Sequence, residues 1–471
     1  MARALLLVPW IYDFAAYDFW SCPLGLLQLG ALLRTGGWQV DYLDLTDRHH
    51  PALPWRPPEQ RFNTGKYYAE EIAKPPALAW VPRRYKRYGL PPAAAEATVR
   101  ALERPDVVLV TSRMTYWYPG VRDAISLCRR VWGRVPVVLG GTYATLCPAH
   151  ARERCGADVV WQGEGEAALA RLVEEMTGVA VRRTGGVSAD PAQLDTLPFP
   201  AWDLRPWNKA LTLETSRGCP YHCTYCATAQ WLPHWRAKSP ARVADEIEYC
   251  VRELGAEDIA FADDALLLAS RRHFLTWADE VQRRRIRVRF HTPNSLFASM
   301  ITQPVAETMR SVGVETVRVS LESASDERLR SLDRRVRPHH FVTAMRHLHA
   351  AGYAPGQLGV YILCGLPGQS LDEVRQAIDL VIDQGATPRL AEYSPIPGTR
   401  EWEKAVRATE LPIAEEPLLQ NNSIFAWASG AVSPEALSDL RRYAIERAAA
   451  NGTYASSRGS APPGAEAAPH Q

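Results

Sequence analysis

Two kinds of period alternate along the chain. Uninterrupted apolar runs recur at "RALLLVPW" (3–10), "QVDYLDL" (39–45), "PDVVLVTS" (105–112), "VPVVLGG" (135–141) and "DVVWQG" (158–163). Such runs predict strands buried on both faces of a parallel sheet. Amphipathic stretches such as "GLLQLGALLRTGG" and "YPGVRDAISLCRRVWG" separate them, the first ending on glycines suited to a helix C-cap. Strand–helix alternation of this kind predicts an α/β fold whose first part is a doubly wound, Rossmann-like sheet. Ligands of such sheets bind at the carboxyl ends of the strands.

Residues 46–95 interrupt the rhythm. They are rich in Pro, Arg and Tyr and have no clear period, which predicts either an ordered, substrate-facing insert or a packed surface excursion. The proline-punctuated stretch "ADPAQLDTLPFPAWDLRPW" (189–207) suits a domain boundary. Alternation then resumes, with strand patterns at "LTLETSRG", "EDIAFADDALLL", "RVRFHTPN", "TVRVSLES", "LGVYILCGLPG" and "TPRLAEYSPIPG". Helical patterns fall between them; in "SPARVADEIEYCVRELG", Ser239 and Pro240 make an N-cap and first helical residue. Six strand–helix units predict a partial (β/α)6 TIM-type barrel, again with its active groups at strand carboxyl ends. The expected organisation is a first domain over 1–188, a linker over 189–207 and a partial barrel over 208–400. A helical region over 401–450 and a Gly/Ser/Pro/Ala-rich, disordered tail over 451–471 complete it.

A length of 471 residues exceeds what one core supports, and the 46% hydrophobic, 23% charged composition is that of a globular enzyme. A formal net charge of +2 gives no electrostatic footprint for nucleic acid or an anionic membrane. The basic run "RRRIRVR" (283–289) falls where a helix end enters a strand, and reads as a solvated cap complementing the helix dipole. No stretch approaches the ~20 apolar residues of a membrane span. The opening "MARALLLVPW" has too short an apolar run for a secretory leader, so a cytoplasmic protein is expected.

Three of the nine cysteines crowd into "RGCPYHCTYCATA" as C-x-x-x-C-x-x-C: Cys219, Cys223 and Cys226, directly after a strand. Thiolates suit zinc or iron–sulfur clusters. Four-thiolate zinc sites normally use two separated C-x-x-C pairs, and no second pair exists. His222 could complete a zinc shell from within the loop, whereas Cys250 in a helix and Cys364 in a strand read as small buried hydrophobes. A 4Fe–4S cube held by three thiolates leaves one iron open, the property that separates a catalytic centre from a structural one.

The triad, with Tyr225 before its last cysteine, resembles the signature of the radical S-adenosylmethionine superfamily. The resemblance implies that S-adenosylmethionine chelates the open iron and is cleaved reductively to a 5′-deoxyadenosyl radical, with a reducing donor such as flavodoxin or ferredoxin. It also implies roles for residues at strand ends. Asp263 and Asp264 in "FADD" would hold the amino group, Glu322 with Ser320 nearby the ribose, and Tyr225 would lie along the adenine. "HTPN" (291–294), ending on Asn294, and "GLPG" (365–368) end the third and fifth strands, the latter resembling an adenine-supporting turn. Taken singly, Asp263 and Asp264 are equally helix caps, and Glu322 equally a partner for Arg318 or Arg330.

The first block resembles the cobalamin-binding domain often fused ahead of this barrel. The matching stretches are "PLGLLQLGALLRTGG", "VVLVTSRMT", "PVVLGGTYATL" and "DVVWQGEGEAAL". The resemblance implies contacts to the corrin and its nucleotide tail from Gly25, Ser112, Met114, Thr115, Gly140, Gly141, Thr142, Gly163, Gly165 and Glu166. Glycines there let the backbone approach a large ligand, though a doubly wound sheet carries turn glycines in any case. The D-x-H-x-x-G loop that presents histidine to cobalt in many such domains is missing after the first strand. Asp47-Arg48-His49 imitates it after the second strand but has Ala52 in place of the glycine. The loop "SRMTYW" is the better candidate for the lower face of cobalt, with Arg113, Met114 or a water there.

The resemblance as a whole implies a cobalamin-containing (class B) radical S-adenosylmethionine enzyme with a 4Fe–4S cluster. Methylation of an unactivated carbon in a small molecule or peptide is the leading expectation. Cobalamin-dependent rearrangement or cyclisation is the alternative. A radical methylthiotransferase would need a second cluster, and Cys22, Cys128, Cys147 and Cys155 lack the spacing for one. A non-catalytic metal-binding protein would need neither the open iron nor the acidic strand ends.

Overall fold

A computed structural model describes residues 1–182 and 190–451. The expected disordered tail lies outside the described residues from 452 on. The chain divides into two compact units, one of residues 1–208 with 412–421, the other of 209–411 with the residues from 422 onward.

Unit one is built on five parallel strands: β1 (Arg3–Val8), β2 (Gln39–Asp44), β3 (Val107–Val110), β4 (Val137–Leu139) and β5 (Val159–Val160). Their order across the sheet is 5-4-3-1-2, with Ala4 opposite both Val40 and Val107. The central strands β3 and β4 are apolar throughout, as strands covered on both faces are, whereas the edge strand β2 alternates Val40 and Leu43 with Gln39, Asp41 and Asp44. Every residue of β3 and β4 is buried, as are the last five of β1. Helices α1 (Leu24–Thr35), α2 (Pro92–Ala101), α3 (Tyr118–Trp132), α4 (Thr142–Leu146), α5 (Pro148–Arg154) and α6 (Leu169–Thr177) connect or flank them. The direction of winding reverses between β1 and β3, so their carboxyl ends diverge and leave a crevice at this switch point.

Residues 46–95 are ordered. The loop after β1 forms a short strand, Ile11–Asp13, that pairs antiparallel with Lys86–Tyr88, itself paired with Ala69–Glu71. Tyr17–Asp18 pairs with Gly65–Lys66. Strands of two or three residues carry no period, which is why the sequence shows none here. Tyr67, Tyr85 and Tyr88 are buried, while Trp55 and Trp80 stay exposed. The proline-rich connector is not a free linker from residue 190 on: Leu194, Leu197 and Trp202 are buried. It lies against α1, where Ala201 donates to the Leu27 carbonyl at 3.1 Å and Gln28 donates to that of Pro198 at 2.9 Å. Residues 412–421, expected with the C-terminal helices, also fold with unit one, where Asn421 donates to Asp13 at 2.9 Å.

Unit two carries β6 (Ala210–Leu213), β7 (Asp258–Phe261), β8 (Arg289–His291), β9 (Val314–Glu322), β10 (Leu358–Cys364) and β11 (Thr387–Glu392), parallel and in sequential order. A short strand, Leu296–Phe297, lies beside β9. The helices that return the chain are α7 (Pro240–Arg252), α8 (Phe274–Arg283), α9 (Gln303–Val312), α10 (Asp326–Ser331), α11 (Pro338–Ala350) and α12 (Leu371–Asp383). No pairing closes β11 onto β6 among the described residues, so the barrel is open. Ser239 caps α7, accepting from the Arg242 N–H at 3.3 Å. Between α7 or α8 and the sheet sits an aromatic core in which Phe261 stacks on Phe290 at 5.2 Å and Phe274 meets Trp277 edge-on at 5.0 Å. The basic run after α8 is ion-paired, Arg284 reaching Asp245, Glu248 and Glu280. No helix among the described residues is long and apolar enough to cross a membrane.

Candidate active site

The three cysteines occupy one loop that leaves the carboxyl end of β6, and a glycine turn and five hydrogen bonds fix its shape. Gly218 adopts φ +83°, and a Cβ there would come within 2.5 Å of the His234 carbonyl oxygen, so only glycine lets the loop turn this closely. Cys219 then donates its N–H to Leu232 at 3.1 Å, Thr224 donates to Leu332 at 3.0 Å, and a tight turn joins the Cys226 N–H to the Cys223 carbonyl at 3.1 Å. On the far side Thr224 donates its hydroxyl to the buried Glu401 at 2.8 Å, and the Glu401 N–H returns a bond to the Thr224 carbonyl at 3.0 Å.

Asp263 and Asp264, at the end of β7, are engaged by the same loop. Asp263 accepts from the Thr215 N–H at 3.0 Å and from the hydroxyls of Thr215 and Ser216, each at 2.6 Å. Asp264 accepts from the Gly218 N–H at 3.1 Å and the Thr228 hydroxyl at 3.0 Å. Burial raises both carboxyls, Asp264 to about 6 with a further push from Glu214. They brace the segments on either side of the cysteines; neither caps a following helix. Glu214 itself, at the end of β6, pairs with Arg217 at 2.6 Å.

A second group forms where β9 bulges between Ser320 and Glu322, with Glu322 at φ +70°. The bulge turns the Glu322 carboxylate toward the loop, where Tyr225 donates its hydroxyl to it at 3.1 Å. Its ionic partner is Arg334 at 3.4 Å, neither Arg318 nor Arg330. Arg334 also bonds Ser320, comes within 3.7 Å of the Cys223 sulfur, and lies over the Phe297 ring at 4.6 Å. Asn294 donates to the Ala262 carbonyl at 2.9 Å and so ties the end of β8 to that of β7. Gly365, after β10, has φ +87° and its N–H is held by Gln369 at 3.0 Å. Neither Arg334 nor Glu401 stands out in the sequence, since each is more than a hundred residues from its partner on the loop, Cys223 and Thr224 respectively.

In unit one a cavity opens at the switch point, lined by Val8, Trp10, Thr46, Thr111, Arg113 and Trp117. Arg113 reaches Ser21 along its wall, whereas Met114 turns into the aromatic cluster of Tyr67, Tyr88, Tyr116 and Trp117. Ser112 and Thr115 are buried; Ser112 donates to the Gly140 carbonyl at 2.6 Å and accepts from the Ala144 N–H at 3.2 Å. Gly141, at φ +92°, would place a Cβ 2.2 Å from the Ser112 carbonyl oxygen, and Thr142 donates to that oxygen at 2.8 Å. The Gly163 N–H is held by Thr145 at 3.0 Å. A Cβ at Gly25, Gly140 or Gly163 would meet nothing within 4 Å, one at Gly165 would lie 3.6 Å from the Leu29 side chain, and Glu166 is buried. His49 does not face this cavity: it stacks on Trp207 at 4.1 Å, and burial lowers it to about 4.

The donor set fits an iron–sulfur cube. His222 is exposed, and no group of three His, Cys, Asp or Glu among the described residues could hold a single ion. Three thiols spread over one loop suit a group several atoms across. Burial pushes Cys219 up to about 12, with Cys226, Asp264 and Cys223 adding to it, so a cationic metal is what would make this thiol a thiolate. Cys226 is raised by burial too. Arg334 keeps an unpartnered, buried Nε on this face. In unit one, a Cβ at Gly140 or Gly163 would meet nothing within 4 Å, so the backbone after β4 and β5 is open to close approach by a large ligand.

Comparison with known proteins agrees with both fits. Residues 213–381 match the Radical SAM superfamily and residues 88–173 the B12 binding domain. The chain is 27% identical over 329 residues, 64% of its length and 70% of the relative's, to an uncharacterized methyltransferase, PH0819, of Pyrococcus horikoshii. It is 24% identical, over 86% of its length and 82% of the relative's, to cytidylyl-2-hydroxyethylphosphonate methyltransferase of Streptomyces wedmorensis. Its fold is similar to that of TsrM from Kitasatospora setae, a radical S-adenosylmethionine methyltransferase solved with cobalamin and a [4Fe-4S] cluster. That likeness has a TM-score of 0.64 at 19% identity and covers 87% of this chain and 75% of TsrM. With a B12 binding domain ahead of a radical SAM domain, the chain belongs to the cobalamin-binding branch of the radical S-adenosylmethionine enzymes.

Proposed function

We propose that the protein is a cobalamin-dependent radical S-adenosylmethionine methyltransferase acting on an unactivated carbon of a small molecule or peptide. One observation carries this reading: three cysteines in C-x-x-x-C-x-x-C spacing, fixed on a single loop at a strand carboxyl end. When bound, the cluster supplies an electron that cleaves S-adenosylmethionine, and cobalamin supplies a carrier for the methyl group.

The residues divide the work between them. Cys219, Cys223 and Cys226 hold the cluster. Thr215, Ser216, Asp263 and Asp264 set the loop's shape, so the two aspartates are positioning residues. Tyr225 and Glu322, already bonded to each other, offer an aromatic face and a ribose acceptor on the open side. Ser112, Gly140, Gly141, Thr142, Gly163 and Gly165 line the approach for a nucleotide tail, and Arg113, rather than Met114, faces the cavity where the corrin's lower side would lie. A guanidinium there offers cobalt no lone pair. A low-potential flavodoxin or ferredoxin serves as electron donor. The small net charge of +2 argues against nucleic acid, and a thiolate-held cluster suits the cytoplasm.

The test is anaerobic reconstitution with iron, sulfide and cobalamin, followed by metal analysis and assay with methyl-labelled S-adenosylmethionine. About four irons per chain and bound corrin are expected. Cys223→Ala should abolish 5′-deoxyadenosine formation and leave corrin binding intact. A product gaining one labelled methyl group supports methyl transfer, and one of unchanged carbon count supports rearrangement or cyclisation instead. Tight zinc without iron overturns the reading.

A further inference from the structure

We infer that Arg334 sets the reduction potential of the cluster held by Cys219, Cys223 and Cys226, through an N–H donated to the sulfur of Cys223; this rests on the cluster reading above. The guanidinium is 5% exposed and cannot leave its place without vacating several contacts. Nη1 lies 3.7 Å from the Cys223 sulfur, Nη2 bonds the Ser320 hydroxyl and stands 3.4 Å from Glu322, and the Phe297 ring covers one face. Its own backbone is fixed as well, with N–H to the Leu329 carbonyl at 2.8 Å.

A cluster that accepts one electron gains one negative charge, shared by its ligand sulfurs, and no bond forms or breaks. An N–H donated to a more electron-rich sulfur is a stronger bond, and a fixed cation in a low-dielectric site favours the more negative state. Both effects of Arg334 raise the potential. Glu322, the carboxylate paired with Arg334 at 3.4 Å, opposes them, and the Tyr225 hydroxyl moderates Glu322 by donating to it. The three side chains form a lever with two ends of opposite sign.

Opposite signs separate this role from simple support of the loop, which would move both variants alike. The full chain, reconstituted anaerobically and free of S-adenosylmethionine, is titrated with dithionite as one-electron donor and mediator dyes, the reduced cluster being counted by electron paramagnetic resonance. Arg334→Met is expected to lower the reduced-to-oxidised ratio at fixed potential at least tenfold, about 59 mV for a one-electron couple. Glu322→Gln is expected to shift it the other way. Arg334→Lys, which keeps the charge but not the fork, should fall between wild type and Arg334→Met, and carries the test if Arg334→Met loads less iron. An unmoved potential in a fully loaded Arg334 variant, or shifts of one sign at both positions, overturns the inference. A wild-type chain that takes up no iron overturns the cluster reading itself.

Discussion

The backbone N–H of Gly218 donates to the carboxylate of Asp264 at 3.1 Å, one residue ahead of the first cysteine of the loop. An acid at this strand end, expected to receive the amino group of S-adenosylmethionine, is thus already part of the loop's scaffold, with Thr228 on its other oxygen. The two roles predict different losses. As a positioning residue, Asp264→Ala should cut iron uptake on reconstitution severalfold, because two donors lose their acceptor. Asp264→Asn, which keeps one acceptor, should load most of its iron. Normal iron in Asp264→Ala combined with weakened S-adenosylmethionine binding would restore the direct contact.

Glu401 holds the loop from the opposite side. It is 2% exposed and accepts from Thr224 at 2.8 Å and Lys404 at 2.7 Å. Glu401→Ala buries an unsatisfied hydroxyl and frees the Lys404 ammonium, a cost of about 2–3 kcal/mol. Glu401→Gln keeps one acceptor and should cost about 1 kcal/mol. Denaturant unfolding of the apo chain gives the difference. Equal losses in the two variants would mean that the carboxylate matters for its charge and not for its bond to Thr224.

Much of this architecture is written locally. The short apolar runs that become β1 and β3 read as strands inside a covered sheet, and Ser239-Pro240 marks the start of α7 by its own chemistry. The cysteine triad is equally local. What escaped is the product of long-range pairing. Ile11–Asp13 acquires strand structure only by meeting Lys86–Tyr88, and residues 190–207 have their shape from lying along α1. Asp263 and Asp264 look the same in sequence whether they face a ligand or brace a loop; only the positions of Thr215 and Gly218 distinguish the two. Arg334 reaches Cys223 from 111 residues away.

Gly140 and Gly141 are neighbours with opposite constraints. A Cβ on Gly141 would sit 2.2 Å from backbone oxygen at φ +92°, so Gly141→Ala should lower the stability of unit one by about 3 kcal/mol or more. A Cβ on Gly140 meets nothing within 4 Å, so Gly140→Ala should leave thermal unfolding unchanged. Its effect should fall on corrin alone, as a weaker affinity in equilibrium titration. Full corrin affinity in Gly140→Ala would mean that the ligand approaches the sheet elsewhere.

Asp47 and His49 give unit one two opposing responses to pH. Burial raises Asp47 to about 6, with Asp44 adding to it, and lowers His49 to about 4. For Asp47 the folded value lies above the unfolded one of about 3.9, so the folded state is best served by the proton and loses stability as pH rises from about 4 to 6. For His49 the folded value lies below the unfolded one of about 6.5, so stability grows as pH rises from about 4 to 6.5. The slopes oppose each other and flatten the profile. Asp47→Asn keeps the oxygen that accepts the backbone N–H of His49 at 2.8 Å and removes the charge. It should therefore be neutral near pH 4 and stabilise unit one at pH 7 by about 1–2 kcal/mol, less than the full shift implies because Asp47 is only partly buried. Calorimetric unfolding of the full chain at several pH values checks this. A variant less stable at pH 7, or stabilised equally at pH 4 and pH 7, would show that the Asp47 charge is already satisfied in the fold.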